Sequence, residues 1–553
     1  MPKSGQKELE LSFIDQQPHI RVYGRYYVIF PFPGRKIENA AINALRTGFK
    51  EVLRRYPYLA GTVDMPDASS GQLRVLYPDP INNIDKEAER VFTASNYSAK
   101  DPTFDYNKLQ KDSFLPEDLP AKVFCPKLVK YHPGLDDGDP FAEHATSMRK
   151  GPLPVFATQA SFIPKGLVLS VWFYHAVTDG NGNARILEVW SNAVRSLRNA
   201  GRTGLSTMAI RPRKTLEDPS SARRKLVDRA CDPGPPTLQQ VKRHPLRQNT
   251  DYKVITKMFR FSSAEVNDLR EALCTYLSGS NKPNVSRFAT LTAIIWAYII
   301  RARLPLLKAS KNTQSALAIV VDLRKHLGSS CSSPEYLGNL VISSIATWKL
   351  PHTKTVAHAD DTVPLQELIS GLEVGQKIKS PTIPTSVPHN DHLKSLASFA
   401  SQISTTTRAV NKKWATTELS QVLHHPSTAQ QASLEYSNGP DLYITSWMHM
   451  GADRKWDIPG ADSSQATAIR RSAWVSEGGI TVLPRKKDGE GGEGVPYEVM
   501  ISLAEADMEA FEEGVEEDGW LELGKGDEMG VEDGGLPPMD GCDNSPWMPR
   551  STL

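Results

Sequence analysis

Apolar positions along this chain change their spacing several times, and each change marks an element. Ile42, Leu45, Phe49, Val52 and Leu53 recur at helical spacing with Arg46, Lys50, Arg54 and Arg55 mostly elsewhere, so one face of a helix is apolar. That helix stops at Tyr56-Pro57, because a residue before proline avoids the helical region. A strand over 72–77 succeeds it. Leu167, Val168, Leu169, Val171, Trp172 and Phe173 form a continuous apolar run, which predicts a buried strand, and Pro164-Lys165-Gly166 predicts the tight turn of the hairpin before it. Ile186, Leu187, Trp190 and Val194 then return to helical spacing.

In the second half a strand is expected over 254–261, followed by a helix opened by Ser262 or Ser263 with Val266, Leu269 and Leu273 on one face. Residues 285–298 are apolar almost all round, which predicts a buried helix. A strand over 317–321 ends in Asp322-Leu323-Arg324, and strands return at 442–447, 480–483 and 497–503. The segment 351–390, rich in Pro, Thr, Ser and His, reads as an elaborated surface loop. Gly489 to Gly494 mimics a dinucleotide fingerprint, but its acidity and its place in a hairpin argue for a flexible turn.

At 553 residues and 39% hydrophobic content, the chain is expected to form two domains. Between 201 and 250, Gly201, Gly204, Pro212, Pro219 and Asp232-Pro233-Gly234-Pro235-Pro236 stand among basic residues, a composition that suits a linker. This places an N-terminal domain at 1–200 and a C-terminal domain at 251–504. From Glu505 to Asp533, thirteen acidic residues face one lysine, so 505–553 is expected to be an acidic, partly disordered tail.

A net charge of +2 gives no reason to expect nucleic acid or a membrane surface as partner. Cys125, Cys231, Cys274, Cys331 and Cys542 are odd in number and scattered, so neither a disulfide framework nor a zinc site is signalled. The first residues lack the apolar core of a signal peptide, and the most apolar run, Leu291 to Ile300, is about half a membrane span. A monomeric, cytoplasmic protein with a small-molecule substrate is the expectation.

The candidate chemistry is a histidine. The spacing His-x-x-x-Asp occurs at His132 to Asp136, His175 to Asp179 and His449 to Asp453, so the spacing alone selects nothing. His132 leads into Pro133-Gly134 and an Asp-rich loop, and His449 precedes Gly451-Ala452 with no helix after it. His175 alone has a strand before it, Gly180 and Gly182 after it and an amphipathic helix beyond, a setting in which a near-neutral imidazole can serve as general base.

Taken in order, these pieces resemble the BAHD family of coenzyme A-dependent acyltransferases, particularly its fungal branch with the trichothecene 3-O-acetyltransferases. The likeness rests on Leu11-Ser12-Phe13-Ile14-Asp15-Gln16, on Leu45 through Gly61, on Tyr174-His175-Ala176-Val177-Thr178-Asp179-Gly180 and on Ser286 to Arg303. It continues through Val321-Asp322-Leu323-Arg324, Tyr336-Leu337-Gly338-Asn339, Thr445-Ser446-Trp447 and Val482-Leu483-Pro484-Arg485. Two departures stand out. Trp456-Asp457-Ile458-Pro459-Gly460 replaces the family's Asp-Phe-Gly-Trp-Gly, and Arg324-Lys325-His326 keeps the first arginine alone of Arg-x-Arg.

The resemblance implies two α/β domains of the chloramphenicol-acetyltransferase type, each a mixed sheet with flanking helices, around a central channel. It implies an acyl-coenzyme A co-substrate, most simply acetyl-coenzyme A, no metal, and direct transfer to a hydroxyl or amine of a secondary metabolite. His175 would be the base. Asp179 would turn away from it toward Arg324, a charge-assisted pair holding the loop, with Gly180 giving a left-handed or close-packed backbone and Asp457 local support. Thr445, Ser446 and Trp447 would line the channel. A metal hydrolase lacks further ligands, a serine esterase would want Gly-x-Ser-x-Gly, and a condensation domain would carry a second histidine at Tyr174. The alternative to an enzyme is a decayed relative that binds without turnover.

Overall fold

The computed structural model describes residues 5–33, 37–64, 70–97, 104–130, 152–203, 227, 242–249, 251–277, 284–327, 335–350, 390–424, 434–472, 477–487 and 494–521. Along the first half run β1 (Gln6–Leu9), β2 (Tyr23–Pro31), β3 (Thr62–Val63), β4 (Val75–Pro78), β5 (Phe92–Asn96), β6 (Leu153–Pro154), β7 (Phe156–Ile163) and β8 (Gly166–Tyr174). Along the second run β9 (Val254–Phe261), β10 (Gln314–Asp322), β11 (Val341–Lys349), β12 (Leu442–Ser446), β13 (Ala468–Arg470), β14 (Gly479–Val482) and β15 (Tyr497–Ala504).

Two mixed sheets organise the molecule. The N-terminal sheet has the order β13-β2-β8-β7-β5, with β5 parallel to β7 and the other neighbours antiparallel. Every residue of β8 is buried, as befits a central strand whose run is apolar on both faces. The helices Glu38–Arg55 and Gly180–Thr203 pack together beside it, where Trp190 donates to the Leu45 carbonyl at 2.8 Å and lies 5.0 Å from Phe49. The C-terminal sheet has the order β11-β10-β12-β14-β15-β9, and a small sheet β1-β4-β3-β6 completes the first half.

The helix Arg287–Ala309 is the core of the second half. Ser286 caps it, its hydroxyl accepting from the Ala289 amide at 3.1 Å, and buried residues occur all round its first turns. By length and composition it could cross a membrane, so the shorter apolar run seen in the sequence understated it; in this fold it is packed against Phe399 and Phe511-bearing neighbours within one core.

Two expected boundaries are corrected. The segment after Glu505 is not tail from its start: helix Glu505–Glu517 buries Met508, Phe511 and Val515 in the C-terminal core, and Asp507 bonds Arg303 at 2.9 Å. Apart from Asp507, its acidic residues stand mostly on the other faces, which is why the charge run hid the apolar stripe. Nor does 251–504 form a closed unit. β13 leaves the C-terminal half to pair with β2, Ala468 opposite Ile29 and Arg470 opposite Tyr27, so each half of the chain contributes to the N-terminal sheet. Within the proposed linker, residues 242–249 are fixed to the second half: Leu246 donates to Asn438 at 2.7 Å and is buried there. The surface loop expected over 351–390 and the glycine-rich turn at 489–493 fall outside the described residues, apart from the start of helix Asn390–Ala409.

Candidate active site at the seam of the two halves

His175 is the first residue beyond β8, whose Tyr174 pairs with Tyr23 of β2. The His175 amide donates to the Val22 carbonyl at 2.8 Å, and the chain then turns, Val177 donating to Tyr174 at 2.9 Å, before helix Gly180–Thr203 begins. The residue before that helix is Asp179, which is 1% exposed. Its carboxylate accepts the Gly182 amide at 2.8 Å, a capping bond that also places negative charge at the helix N-terminus.

Asp179 faces away from the imidazole. Arg324, at the end of β10, donates to both of its oxygens at 2.9 and 3.0 Å, and the Leu340 amide adds a bond at 3.2 Å. Arg324 also donates to Asp322 at 2.9 Å and to the Gly338 carbonyl at 2.7 Å. The neighbouring carboxylates hold this guanidinium in its charged form against the burial that opposes it. The pair therefore joins the His175 loop of one half to the segment Tyr336–Leu340 of the other.

That segment carries Asn339, the last residue of Tyr336-Leu337-Gly338-Asn339, whose role the sequence alone did not disclose. Its amide nitrogen donates to Asp15 at 2.8 Å and to the His175 carbonyl at 2.9 Å, and its backbone amide donates to Asp15 at 2.9 Å. Asp15 is held in turn by the Ser12 amide and hydroxyl at 2.9 and 2.8 Å. With the Asn339 nitrogen committed to two acceptors, its oxygen must face Nδ1 of His175, 3.1 Å away, so Nδ1 carries the proton. Nε2 is then the basic nitrogen. Burial lowers the pKa of His175 and outweighs its own backbone, Asp179 and Asn339, which raise it, while Arg471 lowers it further. The ring is therefore neutral at neutral pH, the state a general base requires.

Of the two backbones expected at Gly180, the close-packed one is found. Gly180 does not adopt a left-handed conformation; a Cβ there would lie 2.3 Å from the Met450 methyl, a flexible chain end. Gly182 is the constrained one, since a Cβ would stand 2.4 Å from the Leu337 carbonyl oxygen, and only glycine lets the helix meet the Asn339 segment this closely.

Trp447, just after β12, lies across the seam with its ring 4.5 Å from Tyr26. Tyr26 stacks on Phe173 at 5.5 Å, and Phe173 lies 6.2 Å from the His175 ring. Arg471 stands 5.1 Å over Trp447 and donates to the Thr481 hydroxyl at 3.1 Å. Thr445 and Ser446 are partly exposed on β12, Thr445 opposite Thr481, and Ser446 accepts from the Met448 amide at 3.4 Å. Asp457 does not join the site and, among the described residues, its carboxylate pairs with no arginine; its backbone takes a left-handed conformation at φ 50°. Its neighbours explain the altered motif: Trp456 and Ile458 are buried in the N-terminal core, with Trp456 5.9 Å from Phe30 and 5.6 Å from Trp190. Among the described residues no group is arranged to hold a metal ion. Of the other His-x-x-x-Asp stretches, His449 is exposed with Asp453 accepting the Lys487 amide at 3.1 Å, and His132 lies outside the described residues.

Residues 139–355 match the model of the transferase family, and residues 22–194 match that of the trichothecene 3-O-acetyltransferase-like N-terminal domain. The chain is 24% identical over 511 residues to trichothecene 3-O-acetyltransferase TRI101 of Fusarium sporotrichioides, covering 91% of this chain and 94% of the relative. It is 26% identical to a trichothecene 3-O-acetyltransferase of Saccharomyces cerevisiae over 62% of this chain and 68% of that one. Its fold is similar to the crystal structure of F. graminearum TRI101 complexed with coenzyme A and deoxynivalenol, with a TM-score of 0.63 at 16% identity over 91% of this chain and 96% of that one.

Proposed function

We propose that the chain is an acyl-coenzyme A-dependent O-acyltransferase of the BAHD type that acetylates a hydroxyl of a secondary metabolite with His175 as general base. The observation that carries the base assignment is the hydrogen-bond series from Ser12 through Asp15 and Asn339 to Nδ1, which leaves the lone pair on Nε2.

The chemistry asks little beyond that lone pair. A thioester carbonyl is already electrophilic and its thiolate leaves readily, so the protein must align the two substrates and remove one proton. Nε2 takes the acceptor O–H proton as the oxygen forms a bond to the thioester carbon. The tetrahedral intermediate collapses by breaking the carbon–sulfur bond, and the imidazolium returns the proton to the departing sulfur. The products are an ester and free coenzyme A, with His175 neutral again and no acyl-enzyme formed. Asp179 and Arg324 fix the loop rather than exchange protons. Trp447, and with it Thr445 and Ser446, forms the wall contributed by the second half.

A secondary-metabolite alcohol is favoured because several relatives are named for such acceptors, among them an eremophilane O-acetyltransferase of Penicillium roqueforti, 24% identical over 77% of this chain. A thiol-release assay with acetyl-coenzyme A and a panel of hydroxylated terpenoids and polyketides tests the reading. Free coenzyme A should appear only when an acceptor is present; binding of coenzyme A without thiol release for any acceptor would replace transfer by the decayed alternative.

A further inference from the structure

The segment that carries Asn339 is held at its start as well as at its end. Glu335, the residue before Tyr336, belongs to the second half of the chain, yet its carboxylate is bonded to the first. The Tyr56 hydroxyl donates to Oε2 at 2.6 Å and Arg185 donates to Oε1 at 2.7 Å, so each oxygen has its own donor. Arg55 adds an ion pair at 3.8 Å. The Glu335 side chain is 16% exposed, which leaves these contacts little screened by water. Burial would raise the pKa of this carboxyl, but the bonds from Tyr56 and Arg185 hold it below its ordinary value, so it is ionised at neutral pH.

The partners of Glu335 belong to the two helices that pack together beside β8. Tyr56 follows directly on helix Glu38–Arg55, and Arg185 lies on helix Gly180–Thr203, one turn beyond Gly182. The segment 335–340 runs antiparallel to the start of that second helix. Asp179 accepts the Leu340 amide at 3.2 Å, Gly182 faces the Leu337 carbonyl, and Arg185 reaches Glu335. A strap fixed at both ends resists sliding along the helix, and Asn339 lies within the fixed stretch. The 3.1 Å contact between its oxygen and Nδ1 of His175 depends on that register.

We propose that Glu335 is a positioning residue for the base: by clipping the far end of the strap to Arg185 and Tyr56 it keeps the Asn339 oxygen against Nδ1 of His175 and the basic lone pair on Nε2. The proposal rests on the acyl-transfer reading above. Steady-state thiol release with acetyl-coenzyme A, using as acceptor the alcohol of the panel above that is turned over fastest, gives the first test. Glu335→Ala should lower kcat about tenfold, the worth of one hydrogen bond, and leave the acetyl-coenzyme A KM unchanged. Glu335→Gln, which keeps the side-chain length and one acceptor oxygen, should recover part of the loss. Glu188→Ala, which removes the other carboxylate bonded to Arg185, should leave kcat unchanged. In an Asn339→Ala background, Glu335→Ala should lower kcat by about twofold at most, because a residue acting through Asn339 has nothing left to position. A tenfold loss repeated in that background, or no loss in the parent protein, would overturn the proposal.

The second test needs no turnover and so separates failure of this proposal from failure of the acyl-transfer reading. In protein labelled with carbon-13 at histidine Cε1, the signal lost in His175→Ala identifies the His175 ring, and its pH titration follows protonation of that ring. Asn339 raises the His175 pKa, so Glu335→Ala should lower the titration midpoint by about half a pH unit and have no further effect in Asn339→Ala. An unmoved midpoint would end the proposal. So would an equal shift in both backgrounds, which would show Glu335 acting on the ring by its charge alone.

Discussion

Two anchors hold the same loop, one through an ion pair and one through an asparagine amide, and they act on different things. The Asp179–Arg324 pair lies below the loop, buried, bidentate and supplemented by the Gly182 and Leu340 amides. It fixes the backbone and ties the halves together. The Ser12–Asp15–Asn339 series stands beside the imidazole and settles which nitrogen carries the proton. The lesson is that the aspartate of His-x-x-x-Asp stabilises, while an aspartate distant in sequence orients the base through an asparagine.

Removing the object of both anchors gives the largest effect. His175→Ala should reduce thiol release by about a thousandfold, within the usual range for a general base, with little change in the unfolding midpoint. Retained turnover would refute the base assignment and with it the meaning of both anchors. Asp179→Ala should cost about 3–5 kcal/mol of stability, because it strands the buried Arg324, and urea unfolding would show it. A variant that unfolds normally but has lost turnover would make Asp179 part of the proton chemistry and dissolve the contrast.

Asn339→Ala should act the other way, lowering kcat by roughly thirtyfold, equivalent to a charge-assisted hydrogen bond of about 2 kcal/mol, with less effect on the unfolding midpoint than Asp179→Ala. Because Asn339 raises the His175 pKa, its removal should also move the acid limb of the rate profile to lower pH, a shift that a purely structural role would not produce. In the unaltered protein that limb should already lie below the ordinary histidine value of 6.5. The sign for stability follows from linkage: the folded pKa of His175 is depressed, so the unfolded chain binds the proton first. This contribution to stability is complete above 6.5 and is lost as pH falls through the folded value. Smallest of all, Asp453→Ala in the half-buried stretch of identical spacing should leave thiol release unchanged and lower stability by about 1 kcal/mol, the worth of its bond to the Lys487 amide.

Much of the scaffold was legible in the sequence where a single face or run set the element. The strand 254–261 agrees with β9 residue for residue, and the apolar run before His175 is β8. β11 went unread although its buried positions alternate cleanly over Val341–Lys349, a period that Ser343, Ser344 and Thr347 obscured by being polar in a partly solvated sheet. The helix Glu505–Glu517 was hidden in the same way by its charge. β13 offered almost nothing to read, because three residues carry no period and its partner β2 lies more than four hundred residues earlier.

By itself, then, the sequence determined the local elements, the place of His175 between a strand and a helix, and the order of motifs that marks the family. Those follow from neighbouring residues, whose propensities and periods act within one turn or one strand. Only the tertiary structure decided that Asp15 and Asn339 orient the imidazole, and it gave the Asp179–Arg324 pair, implied by the family resemblance, its bidentate geometry. Hydrogen bonds and electrostatic coupling depend on distances of a few ångströms, and no spacing along the chain records which remote segments folding will bring that close.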